Sequence, residues 1–350
     1  MKILYGVQAT GNGHITRARV MAGALAAQGL EVDYLFSGRP AEQLFDMAPF
    51  GDYRCRRGLT FHYGAGGRVK PLGTLCDNSL WQLWNEIRSL DLTGYDLVIS
   101  DFEPVTAWAA RRQGVPSIGI AHQYVFNYAL PGRHQGRLTR SAIRLMAPVD
   151  KAIGLHWHHF DQPILPPLIS PPRYPVTLEA DKILVYLPYE ARAQLTDWFG
   201  RFADYRFVVY CDCVQREVQG NMEFQPFCRD GFERDLASCA GVISNSGFGL
   251  ASETVQYGKK LLSKPYRGQV EQLSNAEIMQ QLGLATVMHG DCDLMQLKAW
   301  LQQPNPAPAP YPDVAGALAR WIVAGHTEPA ASLARRLWNG HAMQLAATGA

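Results

Sequence analysis

Net charge is almost absent from this sequence: 33 Lys and Arg meet 31 Asp and Glu over 350 residues, a formal +2. Without a field of one sign, the chain carries no electrostatic footprint for nucleic acid. Cysteine is sparse, seven in all, and no two stand as C-x-x-C, which argues against a disulfide framework or a zinc ribbon. No run of 18 uninterrupted apolar residues occurs, so no span of a bilayer is expected. The opening Met1-Lys-Ile-Leu-Tyr-Gly-Val7 is too short an apolar run for a signal peptide, and a reducing cytoplasm is the expected setting. No fixed-period repeat is visible. What is present is an ordinary globular apolar fraction, 47%, and length enough for about two domains.

Short apolar runs alternate with helical patterns. Strands are expected at Lys2–Val7, Glu31–Phe36, Tyr95–Asp101 and Pro116–Ala121, with helices between, which implies a parallel, doubly wound sheet. Pro163, Pro166, Pro167, Pro171, Pro172 and Pro175 then crowd a stretch that suits neither central strand nor helix. Beyond it the same grammar restarts at Lys182–Leu187, Arg206–Cys211, Gly241–Ser244 and Leu261–Ser263. The α/β chain therefore reads as two doubly wound, Rossmann-like domains: residues 1–160, a Pro-rich linker over 161–181, and residues 182–325. A C-terminal helical segment, 326–350, is expected to pack back on the first domain. A cleft between the domains is the expected ligand site.

The halves differ in charge. Residues 1–160 hold 17 basic and 12 acidic side chains, against 16 and 19 in the remainder. A basic first half suits an anionic partner. Within it, Gly136–Met146 places Arg137, Arg140 and Arg144 on one face with Leu138, Ile143 and Leu145 between. Such a pattern is ordinarily a solvated face over a core stripe. Peripheral contact with the inner membrane surface is the sharper expectation. The stretch Cys55–Leu90 reads as irregular and aromatic, with Gly64-Ala-Gly-Gly67 suggesting a mobile loop.

Two turns carry chemistry. Ala9-Thr-Gly-Asn-Gly-His-Ile-Thr16 joins the first strand to the first helix; Gly11 and Gly13 allow close backbone approach, and the helix N-terminus favours negative charge. A dinucleotide fingerprint would want a third Gly where Thr16 stands. His14 is the candidate base, and Asp101, ending a strand expected beside the first, would fix its tautomer. Asp101 also suits the N-cap of the helix starting at Pro104, and Glu103 in the same loop could take the orienting role. The second turn is Gly241-Val-Ile-Ser-Asn-Ser-Gly-Phe-Gly-Leu-Ala-Ser-Glu253. There Ser246 and Gly247 offer a hydroxyl and N–H groups to a diphosphate, and Glu253 suits the hydroxyls of a ribose. Glu271, Gln272 and Asn275 form a further polar cluster fit for a sugar.

S-N-S-G-F-G-x-x-S-E, then G-Q-x-E-Q-x-x-N-A, paired with the N-terminal G-x-G-H-x-T-R, resembles the nucleotide-sugar glycosyltransferases of the GT-B fold. The likeness is greatest to family 28, which includes the N-acetylglucosaminyl transferase of peptidoglycan synthesis and the galactolipid synthases, and points to a prokaryotic branch of that superfamily. It spans nearly the whole chain. It implies His14 as catalytic base with Asp101, as in the related plant enzymes, and an acceptor side built from Gly11, Asn12, Thr16 and Glu103. On the donor side it implies Gly13, Ser246, Gly247, Phe248 and Gly249 at the diphosphate, Glu253 at the ribose, Glu271, Gln272 and Asn275 at the sugar, and Phe227 near the base. The family 28 loop usually reads G-G-T-G-G-H; here it is Ala9-Thr-Gly-Asn-Gly-His14.

The implied reaction is direct displacement with inversion from a UDP-sugar, with no tightly bound cofactor or metal. Asp291-Cys-Asp293 has the letters of a metal-binding D-x-D but lies outside the donor segments and reads as a surface turn. His156-Trp-His-His159 could bring two ligands together, though only Asp161 offers to complete a metal set. Three other readings share the sequence: an NAD(P)-dependent oxidoreductase with Ser37-Gly-Arg39 as a phosphate clamp, a sugar-nucleotide epimerase of the same fold, and a nucleotide-sugar binding protein without turnover.

Overall fold

The computed structural model describes residues 1–59, 79–132, 137–266 and 268–339, and only the backbone of 137–139. The expected mobile loop at Gly64–Gly67, the side chain of Arg137 and residues 340–350 of the C-terminal segment lie outside them. The chain divides into two compact units. Of the described residues, one holds those of 1–169 and 311–339, the other those of 170–310.

In the first unit β1 (Lys2–Gln8), β2 (Glu31–Ser37), β3 (Tyr53–Arg56), β4 (Leu97–Asp101), β5 (Ser117–Ala121) and β6 (Lys151–Gly154) form one sheet in the order β3-β2-β1-β4-β5-β6. Every pairing in it is parallel. Its helices are α1 (Asn12–Ala27), α2 (Leu80–Ser89), α3 (Pro104–Gln113) and α4 (Arg137–Met146). Strands buried on both faces explain the near-continuous apolar runs Ile3–Tyr5 and Leu97–Ile99. Close packing of α3 on the sheet depends on Gly6, where a Cβ would lie 2.0 Å from Thr106 Oγ1. The region read as irregular in fact contains the end of β3 and all of α2; β3 is partly buried throughout and shows no apolar alternation to mark it.

In the second unit β7 (Glu179–Tyr186), β8 (Arg206–Cys211), β9 (Glu217–Gln219), β10 (Met222–Pro226), β11 (Cys239–Ser244), β12 (Lys260–Ser263) and β13 (Thr286–Val287) are ordered β13-β12-β11-β7-β8-β10-β9. Only β9 runs antiparallel to its neighbour. Helices α5 (Arg192–Phe199), α6 (Arg229–Ser238), α7 (Phe248–Gln256), α8 (Val270–Gln281) and α9 (Leu294–Leu301) belong to it. Its core gathers Ile183, Val185, Phe207, Val209, Phe224 and Trp300, with Phe199 stacked on Phe207 at 4.6 Å.

Residues past 310 return to the first unit. Helix α10 (Val314–Val323), grouped with the second domain on sequence, packs against α1. Helix α11 (Ala330–Asn339) is tied down by Trp338, whose Nε1 donates to the Ile164 carbonyl at 2.7 Å. Part of the Pro-rich stretch is likewise built in, since Leu165 N donates to Gly154 O and extends the edge at β6. Among the described residues, no helix is long and apolar enough to cross a membrane.

Candidate active site

Doubly wound sheets bind ligands outside the carboxyl ends of their strands, where the strand order reverses. In the first unit that point lies between β1 and β4. Register pairs Val7 with Asp101, so the turn after β1 and the end of β4 meet. His14, on the third residue of α1, places Nδ1 2.7 Å from Asp101 Oδ1. The imidazole is 14% exposed and the carboxylate not at all. With Nδ1–H donated to the carboxylate, Nε2 is the ring nitrogen left to accept a proton; Gln123 Nε2 lies 3.4 Å from it.

A third residue, not anticipated from sequence, joins them. Arg17 Nε donates to Asp101 Oδ2 at 2.8 Å, and its Nη2 donates to Oδ1. Burial pushes the Asp101 carboxyl up, but the Arg17 guanidinium and the hydrogen bonds from Arg17 and His14 outweigh it, and the group sits below its ordinary value. Arg17 closes the G-x-G-H-x-T-R motif and stands three residues after His14, on the same helix face, but nothing in the sequence pairs it with Asp101.

The acceptor-side expectations divide. Gly11 is the N-cap of α1 with an extended backbone, φ −124° and ψ 146°, and no side chain caps the helix. A Cβ at Gly11 or Gly13 would meet no atom of the described residues within 4 Å, so neither conformation nor packing among them requires glycine there. Asn12 Oδ1 accepts from Arg39 Nη1 at 3.0 Å, and Thr16 is partly exposed one turn on. Glu103 corrects the reading: it is fully buried as the N-cap of α3. Its Oε1 accepts from Val105 N and Ser37 Oγ, its Oε2 from Thr106 N and Oγ1, at 2.6–2.8 Å. The helix cap is thus Glu103 and not Asp101. Burial raises the Glu103 carboxyl despite those four donors.

In the second unit the order reverses between β7 and β11, and the turn after β11 is Asn245-Ser246-Gly247. Gly247 is the N-cap of α7, and among the described residues no side chain caps it and no atom lies within 4 Å of where a Cβ would stand. Ser246 is fully buried and its Oγ lies 2.7 Å from Ser263 Oγ at the end of β12. Asn245 Nδ2 donates to Lys264 O, while its Oδ1 is buried without a partner among the described residues.

Gln272 and Asn275, expected at the sugar, are turned to the protein's own backbone. Gln272 Oε1 accepts from Ser246 N at 3.0 Å, and Asn275 Nδ2 donates to Ser246 O at 3.0 Å. Both are buried on α8 and brace the Ser246 turn. Glu271 is partly exposed in the first turn of that helix. Phe248 is 6% exposed, its ring part of the core, and Gly249 follows it in α7. Phe227, just past β10, is 47% exposed and meets Tyr186 edge-on at 6.1 Å. Glu253 is partly buried in α7 and makes no hydrogen bond or ion pair through its carboxylate among the described residues. Burial, and then the neighbouring Glu233, push it up to about 7 against a smaller opposing pull from Arg229.

The metal-like letters have structural uses. Asp293 caps α9, its Oδ1 accepting from Met295 N and Gln296 N. His156, His158 and His159 each accept a backbone N–H on Nδ1 within their own turn. Among the described residues no three His, Cys, Asp or Glu side chains group as metal ligands would.

Two parallel, doubly wound units, each with a glycine-capped helix opening at its reversal point, form the architecture of the GT-B glycosyltransferases. A family model described as glycosyl transferase family 1 matches residues 1–304, and the chain belongs to that family. It is a glycosyltransferase of the GT-B type. Solved structures repeat the fold end to end. The glycosyltransferase SnogD from Streptomyces nogalater is 16% identical with a TM-score of 0.55, covering 97% of this chain and 99% of its own. Spinosyn rhamnosyltransferase SpnG, complexed with thymidine diphosphate, is 15% identical with a TM-score of 0.59, covering 97% and 100%. MurG of Acinetobacter baumannii is 15% identical with a TM-score of 0.51, covering 96% and 94%. No curated protein matches the chain.

Proposed function

We propose that the chain is an inverting, metal-independent transferase that moves a sugar from a nucleoside diphosphate sugar, UDP- or TDP-linked, to a hydroxyl acceptor. The observation that carries this reading is the pair of glycine-capped helix starts: Gly11, followed by Gly13 beside an oriented His14–Asp101 pair, and Gly247, six residues before Glu253, whose carboxylate has no partner among the described residues. Glycine required by neither backbone nor packing leaves room for a ligand to approach the main chain. At Gly247 the uncapped N–H groups of α7 suit the diphosphate, with Glu253 taking the ribose hydroxyls. His14 Nε2 would accept the acceptor's proton as its oxygen attacks the anomeric carbon, while the diphosphate leaves with the other electron pair. Main-chain donors stabilise the departing charge without a metal.

Thymidine diphosphate bound to SpnG supports a diphosphate donor, and family membership favours transfer over hydride chemistry. We place the acceptor on the first unit, whose basic excess suits a phosphate-bearing or membrane-surface acceptor. On α4, Ile143 faces inward while Arg144 and Leu145 are exposed, the arrangement peripheral contact would use. Calorimetric titration with UDP and with TDP tests the donor side. Glu253→Ala should weaken the preferred nucleotide by about 1–3 kcal/mol. Unchanged affinity removes the ribose role, and a wild-type chain that binds neither nucleotide removes the donor assignment.

A further inference from the structure

The Asp101 carboxylate faces one permanent cation and one imidazole. Arg17 and Asp101 are 6% and 0% exposed, and the guanidinium engages both carboxylate oxygens. His14 Nδ1 shares Oδ1 with Arg17 Nη2, and those two nitrogens lie 2.9 Å apart. Arginine has no acceptor and keeps its charge throughout the working range. In the tautomer that donates Nδ1–H to Oδ1, the close pair of nitrogens is two donors converging on one oxygen, with the guanidinium crowding any positive charge on the ring.

A buried carboxylate with only an imidazole for company draws a proton onto that ring, because an opposite charge at this range favours the charged form. A base must start unprotonated. We propose that Arg17 is a positioning residue that compensates the charge of Asp101, so that the carboxylate fixes the tautomer of His14 without protonating it. This deepens the reading of His14 as base and rests on it. The other titratable groups facing the cluster are Tyr5 from β1, Tyr124 from the turn after β5, and Glu103 at the start of α3. Burial holds both phenols protonated, and Glu103 is engaged by its own helix.

The test is an NMR pH titration of the His14 ring nitrogens in the full chain, assigned against His14→Gln; it needs neither sugar nor acceptor, so it can fail while the transferase reading stands. Arg17→Met and Arg17→Gln should raise the His14 midpoint by about one pH unit relative to the wild type, and Arg17→Lys should leave it within about 0.3. Adding Asp101→Asn to Arg17→Gln should remove the rise. A midpoint unmoved in the neutral variants overturns the proposal. If neither neutral variant folds, Arg17→Lys decides, since a rise of about one unit with the charge retained contradicts it equally.

Discussion

Glu253 is held in a costly state in the free protein. Its carboxyl is raised from 4.5 to about 7, first by burial and then by Glu233. The folded chain therefore keeps a proton that the unfolded chain releases. Stability from this group is complete below the unfolded value and is lost as pH rises through the folded one. Glu253→Gln should be near neutral at about pH 4 and stabilise the fold by about 1–3 kcal/mol at about pH 8, read by urea unfolding. No gain at the higher pH would contradict the account. The glycines separate the same way. Gly6→Ala should destabilise by about 1–3 kcal/mol, because Thr106 stands where the methyl would go. Gly13→Ala and Gly247→Ala should leave unfolding within about 0.5 kcal/mol, while Gly247→Ala weakens UDP. A Gly247→Ala chain that melts far lower would mean the fold, not a ligand, needs that glycine.

At the level of elements, the Ser246 turn owes its shape to α8 and β12. Asn275→Ala leaves the Ser246 carbonyl without its buried donor and should cost about 1–3 kcal/mol in thermal unfolding. A neutral effect would return Asn275 to the sugar. The sequence signals a polar cluster at 271–275 but not its direction, because an amide suits a backbone and a hydroxyl equally. Meeting of His14 with Asp101 was legible, since strand–helix alternation fixes a parallel sheet and brings the ends of β1 and β4 together. The cap of α3 was not. Asp101 and Glu103 are both competent, and Phe102 in the left-handed region, φ 55°, lies between them, leaving Glu103 as the cap. Strand β10 is not legible either: its alternation of buried Met222 and Phe224 with Glu223 and Gln225 lasts only four residues before Pro226.

Over the whole molecule, two units of one grammar divide the proposed labour, a base on the first and a donor site on the second. The charge split of 17 to 12 and 16 to 19 runs the same way, and in the proposed donor site of the more acidic half phosphate would be met by main-chain donors. The second unit closes before Tyr311, and α10 and α11 return the chain to the first. The account stands most directly on one measurement: nucleoside diphosphate release from the best-bound sugar nucleotide, in the wild type and in His14→Ala, with donor affinity measured alongside. The prediction is release by the wild type, lowered about 10²–10⁴-fold in His14→Ala while the donor binds nearly as before. Equal release by the two proteins would contradict it.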